Sequence, residues 1–163
     1  MKVLGLAIAC SMTVLSCVAV TEQGAPGRGQ VYVPYTPDVS INEVMVAQID
    51  HASHFIWNAA NPDNLPSDLD WMEVEHHAIQ LLSSRSAMTM GGAGVNDSMW
   101  VVQNSWRDYV NQMNDASLEA LAAAKARDLS ALTVAGNRLV ESCEGCHRQY
   151  KPSVPTEGLM HPH

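Results

Sequence analysis

The residues that suggest chemistry stand together near the C-terminal end of the sequence. Cys143 and Cys146 are three positions apart, and His147 follows the second cysteine directly. On a helix, positions three and four apart share one face, so both thiols and the imidazole point to the same side. This spacing is the attachment signature of c-type haem, because two sulfurs can bond the vinyl groups on one porphyrin edge while a histidine binds the iron. The sequence therefore predicts one covalently bound haem c with His147 as a ligand of its iron.

Two other kinds of site use a pair of cysteines at this spacing. A structural zinc site needs four ligands, usually a second pair of cysteines or histidines. The remaining cysteines, Cys10 and Cys17, lie close to the N-terminus. A thioredoxin-like redox pair needs a βαβ context, and nothing near residue 143 has a strand pattern. Both interpretations are weaker than haem attachment.

Length and composition favour one all-α domain. The chain has 163 residues with few aromatic side chains, many alanines and methionines, and only short β-branched runs. Its formal net charge of −8 argues against a nucleic-acid partner. The acidic surface is compatible with a basic redox partner, although solvation alone also accounts for it.

The first 17 residues resemble an export signal. Lys2 precedes an apolar stretch that is too short for a comfortable transmembrane helix. Residues 14–17 (Val-Leu-Ser-Cys) resemble a bacterial lipobox, which predicts a lipid on Cys17, whereas cleavage after Ala19 is the alternative. A periplasmic location agrees with the haem motif, since bacteria attach this haem outside the cytoplasm. Any contact with a membrane is expected through the lipid alone.

Glycine and proline separate this leader from the rest of the chain. Residues 18–38 contain six of these helix breakers and predict a flexible linker. The folded domain is expected over residues 39–151. Pro152 ends the last helical pattern, and residues 152–163 are expected to form a disordered tail.

Apolar periodicity and capping signals predict four helices in this domain. The first begins at Ser40, which forms a capping box with Glu43. The predicted helices run from 40 to about 61, from about 67 to 90, from 96 or 97 to about 126, and from 128 to 151. Four amphipathic helices with short or medium connections pack best as an antiparallel four-helix bundle.

Each helix carries an apolar stripe that is expected to face the core. Both haem cysteines fall on the stripe of the last helix, which also contains Gly136. The second and third helices are expected to face inward through Trp71, Val74, Ala78, Leu81, Leu82, Arg85 and Met88, and through Met99, Val102, Trp106, Tyr109, Met113, Ala116 and Ala120, respectively.

The motif and its position resemble a known family. Cys143 to Lys151 has the pattern C-x-x-C-H-x-x-Tyr-Lys near the C-terminus, which resembles class II c-type cytochromes, the cytochrome c′ superfamily. The resemblance covers residues 39–151 and implies a four-helix bundle. In one branch of that family a methionine of the first helix is the sixth iron ligand, and Met45 resembles it; core packing is the alternative role for Met45.

Several histidines compete with Met45 for the iron, and one family feature is missing. The competing side chains are His51, His54, His76, His77, His161 and His163. Many members of the family carry an arginine just before the methionine, near the haem propionates. Residues 39–42 contain no base here, and Arg85 is a weak substitute. The resemblance also implies that Lys151 shapes the His147 side of the haem.

Three functions follow from the possible states of the iron. An electron carrier would have six-coordinate iron held by His147 and Met45. A five-coordinate haem that binds nitric oxide or carbon monoxide is the alternative, in which Met45 only packs. A haem enzyme would need a distal acid–base group such as His51, and nothing in the sequence demands one, so no enzymatic activity is expected. Many relatives pair through the first two helices, which makes a homodimer possible.

Overall fold

The computed structural model describes residues 36–61 and 69–151. In these ranges every regular element is helical: α1 (Ile41–Val44), a π-helical segment (Met45–Asp50), α2 (His51–Ala60), α3 (Trp71–Met90), α4 (Asp97–Trp100), α5 (Asn104–Ala126) and α6 (Leu129–Tyr150). The elements between 41 and 60 follow one another without a break, and we call them together the first helix. The predicted signal, most of the predicted linker and the tail after Lys151 lie outside the described residues.

Four long helices form an antiparallel bundle. The first helix packs against α3 and α6, and α5 packs against the same two helices from the other side. Lys151 Nζ donates to Asn42 Oδ1 at 3.3 Å, and Thr133 Oγ1 donates to the Ala60 carbonyl at 2.7 Å. The first bond joins the end of α6 to the start of the first helix. The second joins the start of α6 to the end of the first helix, so the two helices are antiparallel. The predicted all-α four-helix bundle is confirmed.

Small side chains dominate the core between these helices. Nine of its buried apolar residues are alanine: Ala52, Ala59, Ala60, Ala78, Ala116, Ala120, Ala123, Ala124 and Ala135. Alanine lets neighbouring helices approach closely, and larger residues such as Leu81 and Leu139 fill the layers between them. No helix within the described ranges is long and apolar enough to cross a membrane.

Three of the predicted helix starts agree with the structure: those at Ser40 and Asp128, and the start at 96 or 97, where α4 begins at Asp97. Ser40 Oγ accepts from the Glu43 N–H at 3.1 Å, while a Glu43 carboxylate oxygen accepts from the Ser40 N–H at 2.7 Å. This is the predicted capping box. Asp128 caps α6, since its Oδ1 accepts from the Ala131 N–H at 3.0 Å.

The predicted start of the second helix near Ser67 is wrong. Within the described residues α3 begins at Trp71, with Asp70 as its N-cap. Asp70 Oδ1 accepts from the N–H groups of Met72 at 2.9 Å and Glu73 at 3.3 Å. A carboxylate at this position also interacts favourably with the helix dipole, so Asp70 is a stronger start signal than the serine before it.

The third predicted helix is interrupted. The short α4 ends at Trp100, residues 101–103 form a turn, and α5 begins at Asn104. Consecutive valines at 101 and 102 disfavour a continuous helix. The interruption turns Met99 and Val102 outward, with exposed fractions of 57% and 71%, so their prediction as core residues is wrong. Arg85 is likewise exposed instead of facing the core.

Candidate functional site

The cysteine–histidine motif occupies the last two turns of α6. Cys143 and Cys146 are free thiols and are partly exposed, whereas His147 is buried with 6% of its surface accessible. All three side chains line the same cavity inside the bundle. The predicted common face of thiols and imidazole is therefore present in α6.

Gly145 lets this part of α6 approach α5 closely. A Cβ atom built on Gly145 would lie 2.7 Å from Cε1 of Tyr109. That separation is too short for two carbon atoms, so any side chain at 145 would push the aromatic ring away. The absence of a side chain between the two cysteines thus allows Tyr109 to pack directly against the motif.

Two neighbouring cavities meet at the motif. Cavity 1 holds about 450 Å³ and cavity 2 about 470 Å³ of space between atoms, part of it open to solvent. Met45, Cys146 and His147 line both of them. Cavity 1 is otherwise lined by Ile49, Asp50, Ser53, Trp57, Met88, Tyr109, Val110, Met113, Ser142 and Cys143, and cavity 2 by Ile41, Asn42, Trp100, Trp106, Tyr150 and Lys151.

Met45 reaches this site from a π-helical part of the first helix. The π segment spans Met45–Asp50 between regular α-helical turns. Short π segments are rare and often occur at functional sites. Met45 is half-buried and faces the cavities that His147 lines from α6. The two residues predicted to hold the iron are thus brought to one place by the first and last helices.

Aromatic side chains close the bundle end around cavity 2. The rings of Trp100 and Trp106 stack at 5.3 Å, and Tyr150 meets them edge-on at 5.9 Å and 4.9 Å. Tyr150 Oη lies 2.7 Å from Ser105 Oγ, and Lys151 Nζ lies 5.6 Å from the centre of the Trp100 ring. The tyrosine and lysine that follow the motif therefore belong to the wall of the site.

The competing histidines of the helices do not line either cavity. His77 stacks on Phe55 at 4.0 Å, and its Nδ1 lies 2.7 Å from the Glu73 carbonyl. His51 and His76 are exposed, while His54 Nδ1 lies 3.0 Å from the Asp50 carbonyl. His161 and His163 lie outside the described residues.

Arg85 is also remote from the two cavities. Its guanidinium donates to Asn111 Oδ1 at 3.1 Å on the surface, and Arg85 lines neither cavity. The cation beside the site is Lys151, which lines cavity 2. Among the described residues, no group of three or more histidine, cysteine or acidic side chains is arranged to hold a metal ion.

A comparison with protein families identifies the fold that carries this site. The model of the family described as cytochrome C′ matches residues 70–151, about half of the chain. The chain belongs to the cytochrome c′ family. The matched part contains the whole motif from Cys143 to His147 and does not include the first helix with Met45. No curated protein and no solved structure matches the chain.

The cofactor of a cytochrome c′ is covalently bound haem c with its iron. The residues around the two cavities fit such a group. Two free thiols and a buried imidazole share one face of α6, and the cavity walls are mostly apolar. A flat macrocycle would bury its surface against side chains of this kind.

Burial changes the acidity of both thiols in this cytochrome c′. Burial of the sulfur raises the pKa of Cys143 from 9.0 to about 11, with smaller contributions from the negative charges of Asp50 and Glu144. Burial likewise raises the pKa of Cys146 to about 12, and the neighbouring Cys143 adds to the shift. Before haem attachment both thiols are therefore protonated at neutral pH.

Sequence analysis missed three polar residues that line cavity 1 from the first helix, Asp50, Ser53 and Trp57. Asp50 is 8% exposed, and its Oδ1 lies 3.3 Å from His54 Nδ1. Ser53 Oγ and Trp57 Nε1 are buried without a hydrogen-bond partner among the described residues. Unmet buried donors require an explanation, and these two fit a cofactor that brings hydrogen-bond acceptors. These residues are three and four positions apart, a spacing that places them on one face of the first helix. That spacing is the sequence feature from which they could have been found.

Proposed function

We propose that this cytochrome c′ is a one-electron carrier and not an enzyme. In this proposal Cys143 and Cys146 attach the haem, His147 binds the iron from α6, and Met45 binds it from the first helix. The observation that carries the proposal is that Met45 and His147 line the same two cavities from facing helices.

Covalent attachment of the haem to the two cysteines needs no oxidant. Each thiol adds across a vinyl C=C bond, so that one C–S bond forms and the thiol hydrogen ends on the neighbouring vinyl carbon. The i, i+3 spacing presents Cys143 and Cys146 to one edge of the ring. Gly145 and Tyr109 keep this turn of α6 tightly packed against α5.

The bound iron supplies a one-electron couple between the ferric and ferrous states. The protein would contribute His147 and Met45 as iron ligands and a dry environment. A thioether ligand favours ferrous iron and raises the potential, and apolar lining residues such as Ile49, Val110 and Met113 keep water away. Lys151 brings a positive charge to the wall of cavity 2, which fits the acidic propionates of the haem.

The deciding measurement is the absorption spectrum of the reduced protein with and without carbon monoxide. A six-coordinate carrier gives sharp low-spin bands that carbon monoxide does not change. Met45→Ala should then produce a high-spin spectrum that responds to the gas. Met113→Ala is the matched control, because Met113 also lines cavity 1 but is not assigned to the iron, and it should remain low-spin.

A five-coordinate haem that binds nitric oxide or carbon monoxide is the second candidate. It is favoured by cavity 1, which extends past Met45 to Ser53 and Trp57 and offers room for a small molecule. In that case the wild-type protein would be high-spin and would bind carbon monoxide at once. Met45→Ala would then leave the spectrum unchanged, and the assignment of Met45 as a ligand would be abandoned.

We infer a periplasmic location with a membrane tether. The basis is the N-terminal leader and the lipobox-like residues before Cys17. Labelling of cells with a fatty-acid analogue should mark the wild-type protein and not Cys17→Ala. If the wild type carries no label and fractionates with the soluble periplasm, cleavage after Ala19 replaces this proposal.

We also propose a homodimer that uses the exposed face of α3. Met72 and Ile79 are seven positions apart on this helix and are 60% and 50% exposed, so they share one side. Their exposure fits pairing through the first two helices of the bundle, α3 being the second. Sedimentation velocity should show a dimer that Met72→Glu/Ile79→Glu converts to a monomer, and a monomeric wild type would contradict the proposal.

A further inference from the structure

Two histidines meet where the first helix packs against α3. The ring centres of His51, on the first helix, and His77, on α3, lie 5.5 Å apart, and the ring planes are tilted by 44°. Neither residue lines the two cavities of the haem site. Histidine is the commonest metal ligand among the side chains, so a pair contributed by two different helices is a candidate site for a cation.

The separation of the two rings suits ligands of one metal ion. An ion such as Zn²⁺ binds imidazole nitrogen at about 2 Å, so two rings on one tetrahedral ion have their centres about 5 Å apart. The observed 5.5 Å therefore requires only a small movement of one side chain. His51 is exposed and free to make that movement, whereas the His77 side chain is only 12% exposed.

The surroundings of His77 hold it in a form that can bind a metal. Its ring stacks on Phe55 with the centres 4.0 Å apart, and its Nδ1 lies 2.7 Å from the Glu73 carbonyl oxygen. A carbonyl oxygen can only accept, so Nδ1 donates its hydrogen and the lone pair of the neutral ring is on Nε2. Metal-binding histidines commonly donate their other N–H to a backbone carbonyl in this way, which fixes the tautomer and the ring orientation.

A hydrogen bond one turn from the pair connects the same two helices. Gln48 precedes His51 by three positions, and Gln80 follows His77 by three. Gln48 Nε2 donates to the Gln80 carbonyl at 3.0 Å, and Phe55, four positions after His51, stacks on His77. The spacing of the two imidazoles is thus set by packed helices, and a site on rigid elements loses little entropy when it binds its ligand.

The charge near the pair favours a cation. The Glu73 carboxylate lies 4.0 Å from Nδ1 of His77 and 3.5 Å from Nδ1 of the neighbouring His76. The whole chain has a net charge of −8. A carboxylate behind a metal-binding imidazole supports the ligand from the side opposite to the metal.

We propose that His51 and His77 bind one divalent transition-metal ion, with water completing its coordination. Imidazole ligands suit copper, nickel and zinc, and affinity in the first-row series is highest for Cu²⁺. The ion joins the first helix to α3 at a position six residues after Met45. The site is separate from the haem iron, so it does not depend on whether Met45 binds that iron.

The test is a calorimetric titration of the ferric holoprotein with Cu²⁺. The wild type should bind one Cu²⁺ tightly, and His51→Ala and His77→Phe should each weaken binding at least about tenfold, because even changes behind a ligand cost about 10–100-fold in metal affinity. His51 is exposed, and phenylalanine at 77 keeps a ring against Phe55, so both variants should fold. Electron paramagnetic resonance of the bound Cu²⁺ should show two coordinated nitrogens in the wild type and one in either variant.

His76→Ala is the matched control. His76 lies beside the same Glu73 carboxylate and its side chain is 58% exposed, but it does not belong to the pair, so its removal should leave the Cu²⁺ affinity unchanged. His161→Ala/His163→Ala is the corresponding control for the C-terminal histidines. If either control loses the tight site, or if His51→Ala keeps it, the ion is bound elsewhere and the proposal is overturned.

Unfolding measurements test whether the ion joins the two helices. A metal that binds the folded chain more tightly than the unfolded chain stabilises the folded state. Zn²⁺, which has no redox chemistry, should therefore raise the urea midpoint of the wild type and of His76→Ala. His51→Ala and His77→Phe should lack this increase. An equal increase in all four proteins would contradict the proposed site.

Discussion

At the scale of single residues, the site depends on the small size of Gly145 as well as on the thiols and the imidazole of the motif. Cys143, Cys146 and His147 supply the reactive groups, and Gly145 between them supplies the space for the Tyr109 ring. The motif could be predicted from the sequence because its chemistry is encoded in a fixed spacing. The contact with Tyr109 could not, since it depends on how α5 and α6 pack.

Gly145→Ala should therefore lower the free energy of unfolding of the protein. The added methyl group would meet Tyr109 Cε1 at 2.7 Å, and overpacking of this kind costs about 1–3 kcal/mol. Urea unfolding of the holoprotein measures the loss. Combining Gly145→Ala with Tyr109→Ala removes the clash, so the double variant should be less destabilised than the sum of the single changes. Simple additivity would show that the ring does not oppose the methyl group.

The thiol acidities predict how the haem-free chain responds to alkali. The folded state raises the pKa of Cys143 to about 11 and that of Cys146 to about 12, so folding favours the protonated thiols. Their contribution to stability is full below the unfolded pKa of 9.0 and is lost as the pH rises through 11 and 12. The free energy of unfolding of the haem-free chain should accordingly fall as the pH rises from about 8 to about 10.5.

Cys143→Ser/Cys146→Ser is the control for that titration. It keeps every other ionisable group and should lose less stability over the same pH range. An equal loss in the control would assign the alkaline effect to groups other than the two thiols.

At the scale of elements, helix caps that depend on neighbouring residues could be predicted from the sequence. The interruption of the third helix, which involves a residue far away in the sequence, could not. Ser40 and Asp128 act as caps through bonds to residues three positions away, so the sequence around them was enough. The interruption of the third helix accompanies a long-range bond, since the Asp97 carboxylate accepts from the Ile41 N–H, 56 residues away. The exposure of Met99 and Val102 beside this interruption could not be read from apolar periodicity.

The junction between α5 and α6 allows a stabilising change. Arg127 has φ 53° and ψ 39°, a left-handed conformation that costs an L-residue about 1 kcal/mol, and its N–H closes the end of α5 by donating to the Ala124 carbonyl. Arg127→Gly removes this strain and should raise the free energy of unfolding by about 0.5–1 kcal/mol. Arg127→Ala keeps the strain, so it should give no comparable gain in the same urea titration.

At the scale of the whole molecule, Asp97 links the loop between α3 and α5 to the start of the first helix. Its carboxylate binds the Ile41 N–H, four residues before Met45. Asp97→Ala leaves the buried Ile41 N–H and the partly buried Gly94 N–H without this acceptor and should cost about 1–3 kcal/mol of stability. If the bond also positions Met45, the variant should show a high-spin fraction in its absorption spectrum.

Asp97→Asn separates packing from positioning in that experiment. The amide retains an acceptor oxygen of the same size, so it should restore most of the stability and the low-spin spectrum. A fully low-spin Asp97→Ala protein would limit Asp97 to a role in folding.

The position of Met45 and His147 on the same two cavities has a consequence for the stability of the whole domain. These residues belong to the first and last helices of the bundle, and a metal bonded to both would act as a cross-link that closes nearly the entire domain into a ring. Closing a loop of about 100 residues removes unfolded-chain entropy worth about 4–5 kcal/mol in the chain-entropy model. Unlike a disulfide, this closure would open if another molecule displaced the thioether, and the domain would then lose that stabilisation.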